Sequence, residues 1–345
     1  MIFEIILTSC LAWNPTDCGT GRVPSEGDLA TCRERARIIA ANVPRSAQLQ
    51  SYPCVEEGQF PEFSFSEIAP GVFVHKGAHD GDPDPENRGD LSNITFIIGE
   101  SSVAVIDAGT HPWIGEAVLK EIRRETALPI STIILTHMHP DHVLGVRPLL
   151  VDGGSVIGHA RLGAAISARA GSYLDTMRRL GLDDLTEQDI VLPDDAVETT
   201  RTLSLGNREL VLTAHPSGHT NTDLTVLDVQ TGTLILGDLL FLGHTPVLDG
   251  SALGWKAVLD DVSKLPATLA VPGHGPVAVK WPEGAEPMQR YLDSLIRDTR
   301  NELDAGTPMP DAIGRIAQSQ RKYWLMFDRF NTRNATATYQ ELGSE

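Results

Sequence analysis

Between Thr136 and His142 the chain reads THMHPDH, which places four metal-ligating side chains in six residues directly after the apolar run Ile133 to Leu135. In an extended segment side chains alternate, so His137 and His139 face the same way. Asp141 and His142 follow Pro140, where a helix is expected to begin, and project elsewhere. Four ligands divided in this way suit two metal ions better than one. Imidazole nitrogen and carboxylate oxygen favour zinc; iron and manganese stay open, because ligand softness alone does not choose among them.

A loop of this kind needs a rigid scaffold, and the hydrophobic periodicity supplies one. Strands are expected at Ile68 to Lys76 (with a turn), Ile94 to Ile98, Val103 to Ile106, Ile133 to Leu135, Ser155 to Gly158, Glu209 to Ala214, Asp223 to Val229 and Thr233 to Leu236. Helical spacing covers Ile114 to Thr126, Arg161 to Leu180, Trp255 to Leu265, Met288 to Leu303 and Tyr323 to Phe330. Strand and helix alternate, so residues 62–345 read as one layered α/β domain with C-terminal helices packed on it. A long polar loop, Gly77 to Asn93, interrupts the pattern and is a candidate flap carrying His79.

The first 58 residues differ in kind. All four cysteines, Cys10, Cys18, Cys32 and Cys54, lie there. Their spacing contains no CxxC pair, which argues against a zinc ribbon; an even count in a short segment suggests a small module with two disulfides, with reduced thiols as the alternative. Disulfides require an oxidising compartment, whereas Met1 to Ala12 has an acidic Glu4 and no basic flank and reads as a strand rather than a leader. A periplasmic location is expected on balance. No apolar run approaches the roughly 18 residues of a membrane span. With 28 basic against 46 acidic residues and a formal charge of −18, phosphate backbones are repelled on average, so no nucleic-acid partner and a small-molecule substrate are expected.

Three further ligand candidates sit beside glycine at expected strand ends or turns: Gly218-His219, Gly237-Asp238 and Gly273-His274-Gly275. With HxHxDH at 137–142 and then His219, Asp238 and His274 in that order, the chain resembles the metallo-β-lactamase superfamily over about residues 65–280. The resemblance implies an αββα sandwich with its site at one edge of two sheets. It implies one ion on His137, His139 and His219, another on Asp141, His142 and His274, and Asp238 between them. It also implies that Asp107, in Val105-Ile106-Asp107-Ala108-Gly109, fixes the ligand loop by hydrogen bonding. A narrower resemblance, carried by Asp238 to Leu240, Pro246 to Trp255, Pro272 to Pro276 and Asn331 to Gln340, is to zinc metallohydrolases of quinoprotein relay systems. It implies a role accessory to periplasmic oxidation linked to pyrroloquinoline quinone.

Two divalent ions at such a site lower the pKa of a bridging water and polarise an electrophile, so the expected chemistry is hydrolysis of an ester, thioester, lactone or amide by a metal-bridging hydroxide. Asp141 or Asp238 would take the proton. β-Lactam hydrolysis is disfavoured, since lactamases with a cysteine ligand need it where this chain has Asp238. An iron-dependent redox enzyme and a non-catalytic quinone-binding or maturation factor are the alternatives. His244 is the first pocket candidate, followed by Asp249, Ser251 and Trp255.

Overall fold

Strands such as Val103 to Ile106 and Ile130 to Leu135 are apolar at nearly every position, the pattern of sheets covered on both faces rather than of strands with a wet side. The computed structural model describes residues 2–11, 14–26, 29–41, 47–51, 54–56, 63–78, 87–182 and 185–344; before residue 63 it describes side chains only at 30–39.

At the amino end, β1 (Ile2–Leu11), β2 (Asn14–Glu26), β3 (Ala47–Ser51) and β4 (Cys54–Glu56) form their own sheet, accompanied by α1 (Leu29–Ala41). Cys54 to Glu56 pairs antiparallel with β1. Of the four cysteines only Cys32 has a described side chain, and it is fully buried on α1.

The body contains two sheets. The first has seven strands: β5 (Phe65–Ala69), β6 (Val72–His75), β7 (Ile94–Ile98), β8 (Val103–Ile106), β9 (Ile130–Leu135), β10 (Ser155–His159) and β11 (Asp195–Val197), ordered β11-β10-β9-β8-β7-β6-β5. The second has six in sequential order: β12 (Thr200–Ser204), β13 (Glu209–Ala214), β14 (Leu224–Asp228), β15 (Thr233–Phe241), β16 (Leu269–His274) and β17 (Val279–Lys280).

Strand alternation builds three cores from these runs. In β8, Ala104 and Ile106 join Ile134, Leu212, Val226, Ile235 and Val271 between the sheets. Val103 and Val105 point the other way, against Trp113, Ile114, Val118 and Ile122 of α2 (Pro112–Glu125); α3 is the single turn Pro140–Val143, and α4 (Leu162–Arg179) adds Leu162 and Ile166 to this layer. On the far side, Leu234 and Leu236 of β15 meet Trp255 and Leu259 of α5 (Ala252–Val262) and Met288, Tyr291 and Leu295 of α6 (Glu286–Asp304). The short α7 (Met309–Ala312) and α8 (Phe327–Leu342) complete that layer. The order is helix, sheet, sheet, helix, an αββα sandwich.

Three departures from expectation have local causes. β15 runs five residues past Leu236, through Gly237 and Asp238 to Phe241; Gly237 has φ +51° and the pairing with β16 slips around it, so an irregular strand continues where a turn was expected. Tyr323 to Phe330 is not one helix: a 3-10 turn, Gln318–Tyr323, ends at extended Trp324, and Met326 at φ +53° precedes α8. Helix α5 begins at Ala252 rather than Trp255 because the Ser251 side chain caps it, accepting from the Gly254 amide at 2.8 Å.

A candidate metal centre at the sandwich edge

The ligand loop leaves β9 at its carboxyl end. Thr136 is tied there by Asp107, whose Oδ1 accepts the Thr136 amide and whose Oδ2 accepts the Thr136 hydroxyl, both at 2.8 Å. Asp107 sits at φ +62°, a left-handed conformation that aspartate tolerates better than most residues. Pro140 opens α3, so His142 turns inward to full burial while Asp141 stays nearer the surface. Tyr173 of α4 donates its hydroxyl to the Met138 carbonyl at 2.5 Å and closes the loop from outside; burial pushes that phenol's pKa up, keeping it a donor.

The other residues arrive from the second sheet. His219 comes from the β13–β14 connection, where Asp223 accepts from both the amide and the hydroxyl of Thr220. Burial raises the Asp223 carboxyl to about 7, against the hydrogen bonds from Thr220 that favour its charged form. Asp238 lies within β15 and His274 ends β16. Gly273 is required beside it, since a Cβ there would stand 1.9 Å from Asp238 Oδ1.

All seven expected ligand residues converge. His137, His139, His219 and Asp238 form one group and Asp141, His142 and His274 another, each with its donor atoms within 4.8 Å of one another. Asp238 faces both. Its Oδ2 is 3.6 Å from His137 Nε2 and 3.4 Å from His219 Nε2, and its Oδ1 is 3.2 Å from His142 Nε2 and 3.5 Å from His274 Nε2. Asp141 Oδ2 lies 3.2 Å from His274 Nε2 and 3.5 Å from His142 Nε2. Donor atoms at the corners of a tetrahedron with bonds of about 2.0–2.1 Å stand about 3.3 Å apart, so these separations are those of ligands around an ion.

The ring nitrogens that face away settle the tautomers. His142 Nδ1 donates to Asp107 Oδ2 at 2.7 Å, His219 Nδ1 to the Val247 carbonyl at 2.6 Å and His274 Nδ1 to the Leu91 carbonyl at 3.2 Å. His139 Nε2 donates to Asp249 Oδ2 at 3.3 Å, and His137 Nδ1 is 3.0 Å from the Thr136 hydroxyl, whose own proton is given to Asp107. Each neutral imidazole therefore turns a lone pair inward. His139 Nδ1 and His219 Nε2 stand 2.9 Å apart, lone pair against lone pair, unless a cation lies between them. His137 Nε2, His142 Nε2 and Asp238 Oδ1 are buried without a hydrogen-bond partner. Such orphans each cost about 1–3 kcal/mol unless something else satisfies them. The donor set thus fits divalent ions.

The electrostatics divide the imidazoles into two sets, one that stays neutral and one in which a proton competes for the inward nitrogen. Burial, with His142 beside it, holds His137 well below the ordinary imidazole range, and burial takes His219 to about 3. For the second group burial acts the same way but is outweighed: Asp238 and Asp141 hold His274 at about 9, and Asp238 and Asp107 hold His142 well above its ordinary value. Burial would raise the Asp238 carboxyl, but His274, His142 and His137 together keep it well below the carboxylate range.

Residues 87–274, more than half of the chain, match the metallo-beta-lactamase superfamily. The chain belongs to that superfamily. No curated protein matches it. The superfamily fold is shared with the stereoselective inverting sec-alkylsulfatase Pisa1 from Pseudomonas sp., with a TM-score of 0.64 and 16% identity over 81% of this chain. This chain spans only 50% of that enzyme's length. A metallo-beta-lactamase from Pontibacter korlensis aligns with a TM-score of 0.55 and 17% identity, over 67% of this chain and 99% of its own. For the mono-zinc form of FIM-1 from Pseudomonas aeruginosa the values are 0.53 and 18%, over 67% and 95%.

Other expected site residues fall unevenly in this metallo-beta-lactamase fold. His244 is buried and lines a cavity of about 240 Å³ that opens on His139, Asp141, Asp238 and His274. Asp249 is at His139 rather than in the cavity wall, with Arg333 3.5 Å from its Oδ1. Ser251 caps α5 and bonds Glu341, and Trp255 is core, its ring edge against His219, so neither lines the cavity. His79 lies outside the described residues. Sequence reasoning missed the backbone carbonyls of Leu91 and Val247, which no side-chain pattern could reveal, and the apolar lining residues Met177 and Phe330, which read as ordinary core positions.

Proposed function

We propose that this chain is a dinuclear, metal-dependent hydrolase of carbonyl-type bonds, with zinc in both positions. The observation that carries the reading is Asp238: its two oxygens face two separate imidazole groups in a pocket with three buried, unpartnered ligand atoms. His137, His139 and His219 would hold one ion, Asp141, His142 and His274 the other, and Asp238 both. Bound there, two divalent ions supply a water acidic enough to lose a proton near neutral pH and a Lewis acid for the scissile bond.

The chain's own groups do the rest. Asp107, Asp249 and the carbonyls of Val247 and Leu91 orient the imidazoles. Of the two carboxylates at the cavity, Asp238 is 3% exposed with both oxygens turned to imidazoles, whereas Asp141 is 18% exposed; Asp141 is the group placed to hold a proton during turnover. Apolar cavity walls exclude water from the reacting centre.

Two disulfides in the amino-terminal module, a periplasmic location and service to a quinoprotein oxidation system belong to the same proposal. The lack of a free thiol among the described residues supports the first of these. Among the described residues no helix is long and apolar enough to cross a membrane.

The test is metal analysis of the purified protein joined to a panel of chromogenic esters, thioesters, lactones, β-lactams and secondary alkyl sulfates, the last included because of the sulfatase's similar fold. Cleavage abolished by chelator and restored by zinc is expected for a carbonyl substrate. Iron content with oxygen uptake favours the redox alternative, and metal binding without turnover of any substrate favours a binding factor.

A further inference from the structure

The cavity beside the metal centre is lined mostly by apolar surface. Leu91, Met177, Leu180, Phe241, Val247 and Phe330 line it, with Thr110, Thr176 and His244 as uncharged polar neighbours, and it opens on His139, Asp141, Asp238 and His274. Among the described residues its lining contains no lysine and no arginine. Two guanidiniums on the neighbouring α8 are engaged elsewhere: Arg333 bears on Asp249, and Arg329 lies over the Phe330 ring, 5.0 Å from its centroid. Away from the metal positions, an anionic group in this space would meet a mostly apolar lining with no lysine or arginine to pair with. A volume of about 240 Å³ is that of about eight water-sized groups.

We propose that the cavity selects a compact, uncharged, apolar substituent of the substrate, an alkyl or acyl group of about eight non-hydrogen atoms, held with its reacting bond over the metal positions. The inference rests on the hydrolase reading for its metal floor and names that site's substrate class: neutral short-to-medium acyl esters, thioesters or alkyl lactones, rather than substrates that carry a carboxylate or a peptide on this side. Leu180 and Phe330 set the length limit, since both are only half-buried at the mouth.

The test is calorimetric titration of the zinc-loaded protein with straight-chain alkyl hydroxamates from acetyl to dodecanoyl, and with adipic acid monohydroxamate as the carboxylate-bearing match for hexanoyl. Affinity is expected to rise about fourfold per methylene up to six to eight carbons and then to fall. The carboxylate-bearing compound should bind at least tenfold more weakly than hexanoyl. Leu180→Trp should move the optimum down by two or more carbons and Phe330→Ala should move it up, with zinc content unchanged in both. A flat series, tighter binding of the carboxylate-bearing compound, or no binding of any member overturns the proposal. The same chain lengths offered as esters separate the two readings: length-selective binding without ester cleavage keeps the apolar cavity and removes the hydrolase, whereas cleavage indifferent to length keeps the hydrolase and removes the selectivity.

Discussion

The carboxylate of Asp107 joins His142 to Thr136: one oxygen accepts from His142 Nδ1 at 2.7 Å and from the Thr136 hydroxyl at 2.8 Å, and the other accepts the Thr136 amide. It therefore aims one imidazole and pins the start of the ligand loop. Asp107→Ala is expected to weaken metal binding by about 10–100-fold, as loss of such an orienting partner usually does. Chelator competition reads this directly, and unchanged affinity would show that the loop holds its shape without Asp107.

Gly273 tests the Asp238 carboxylate from behind. A Cβ there would meet Asp238 Oδ1 at 1.9 Å and the Gly237 carbonyl carbon at 2.7 Å, so Gly273→Ala must displace Asp238. Metal content per chain is expected to fall. Gly171→Ala is the matched control: Gly171 lies within α4, an added methyl there would have no neighbour within 4 Å, and the change should stabilise the protein by about 0.5–1 kcal/mol. Thermal melting and metal analysis of both variants settle the comparison.

Acid sensitivity should come partly from His215. Burial, then repulsion from His159, lowers its pKa from 6.5 to about 4, and its Nε2 is 2.9 Å from the Thr225 hydroxyl. The unfolded chain takes up a proton at this residue below pH 6.5 while the folded chain does not until about pH 4, so stability falls as pH drops through that window. The contribution is at most about 3 kcal/mol. In urea unfolding between pH 7 and pH 4, His215→Gln should lose less stability than the parent; equal losses would assign the acid sensitivity to other groups.

Asn334 of α8 fastens the loop that supports His219. Its Oδ1 accepts the Leu248 amide at 3.0 Å, and its Nδ2 donates to the Pro246 carbonyl at 2.7 Å and to the Tyr291 hydroxyl at 2.8 Å. Val247, between those two residues, orients His219. Asn334→Leu would leave several buried polar groups unsatisfied and is expected to cost about 2–3 kcal/mol of stability, with weaker metal binding as well. A stability loss with metal affinity intact would separate the C-terminal helix from the site.

The seven residues that converge at the sandwich edge were legible in the sequence because their signal is local: HxHxDH after an apolar run, then histidine or aspartate beside glycine. The layers were legible for a similar reason, since apolar runs covered on both faces leave few alternatives. What escaped were matters of geometry. Asp238 lies inside a strand because β15 continues past Gly237 with slipped pairing, and Trp255, which reads equally well as pocket or core, is held in the core by its indole N–H bond to the Leu239 carbonyl. The edge strand Thr200–Ser204 went unread because it alternates weakly and carries threonine and serine where core residues were sought.

The most direct test of the account is a crystal structure of the zinc-loaded protein with anomalous data at the zinc edge. Two peaks are predicted, about 3.5 Å apart, one among His137, His139 and His219, the other among Asp141, His142 and His274, with an oxygen of Asp238 turned to each. A single peak, or a pair that leaves Asp238 uncoordinated, would contradict it.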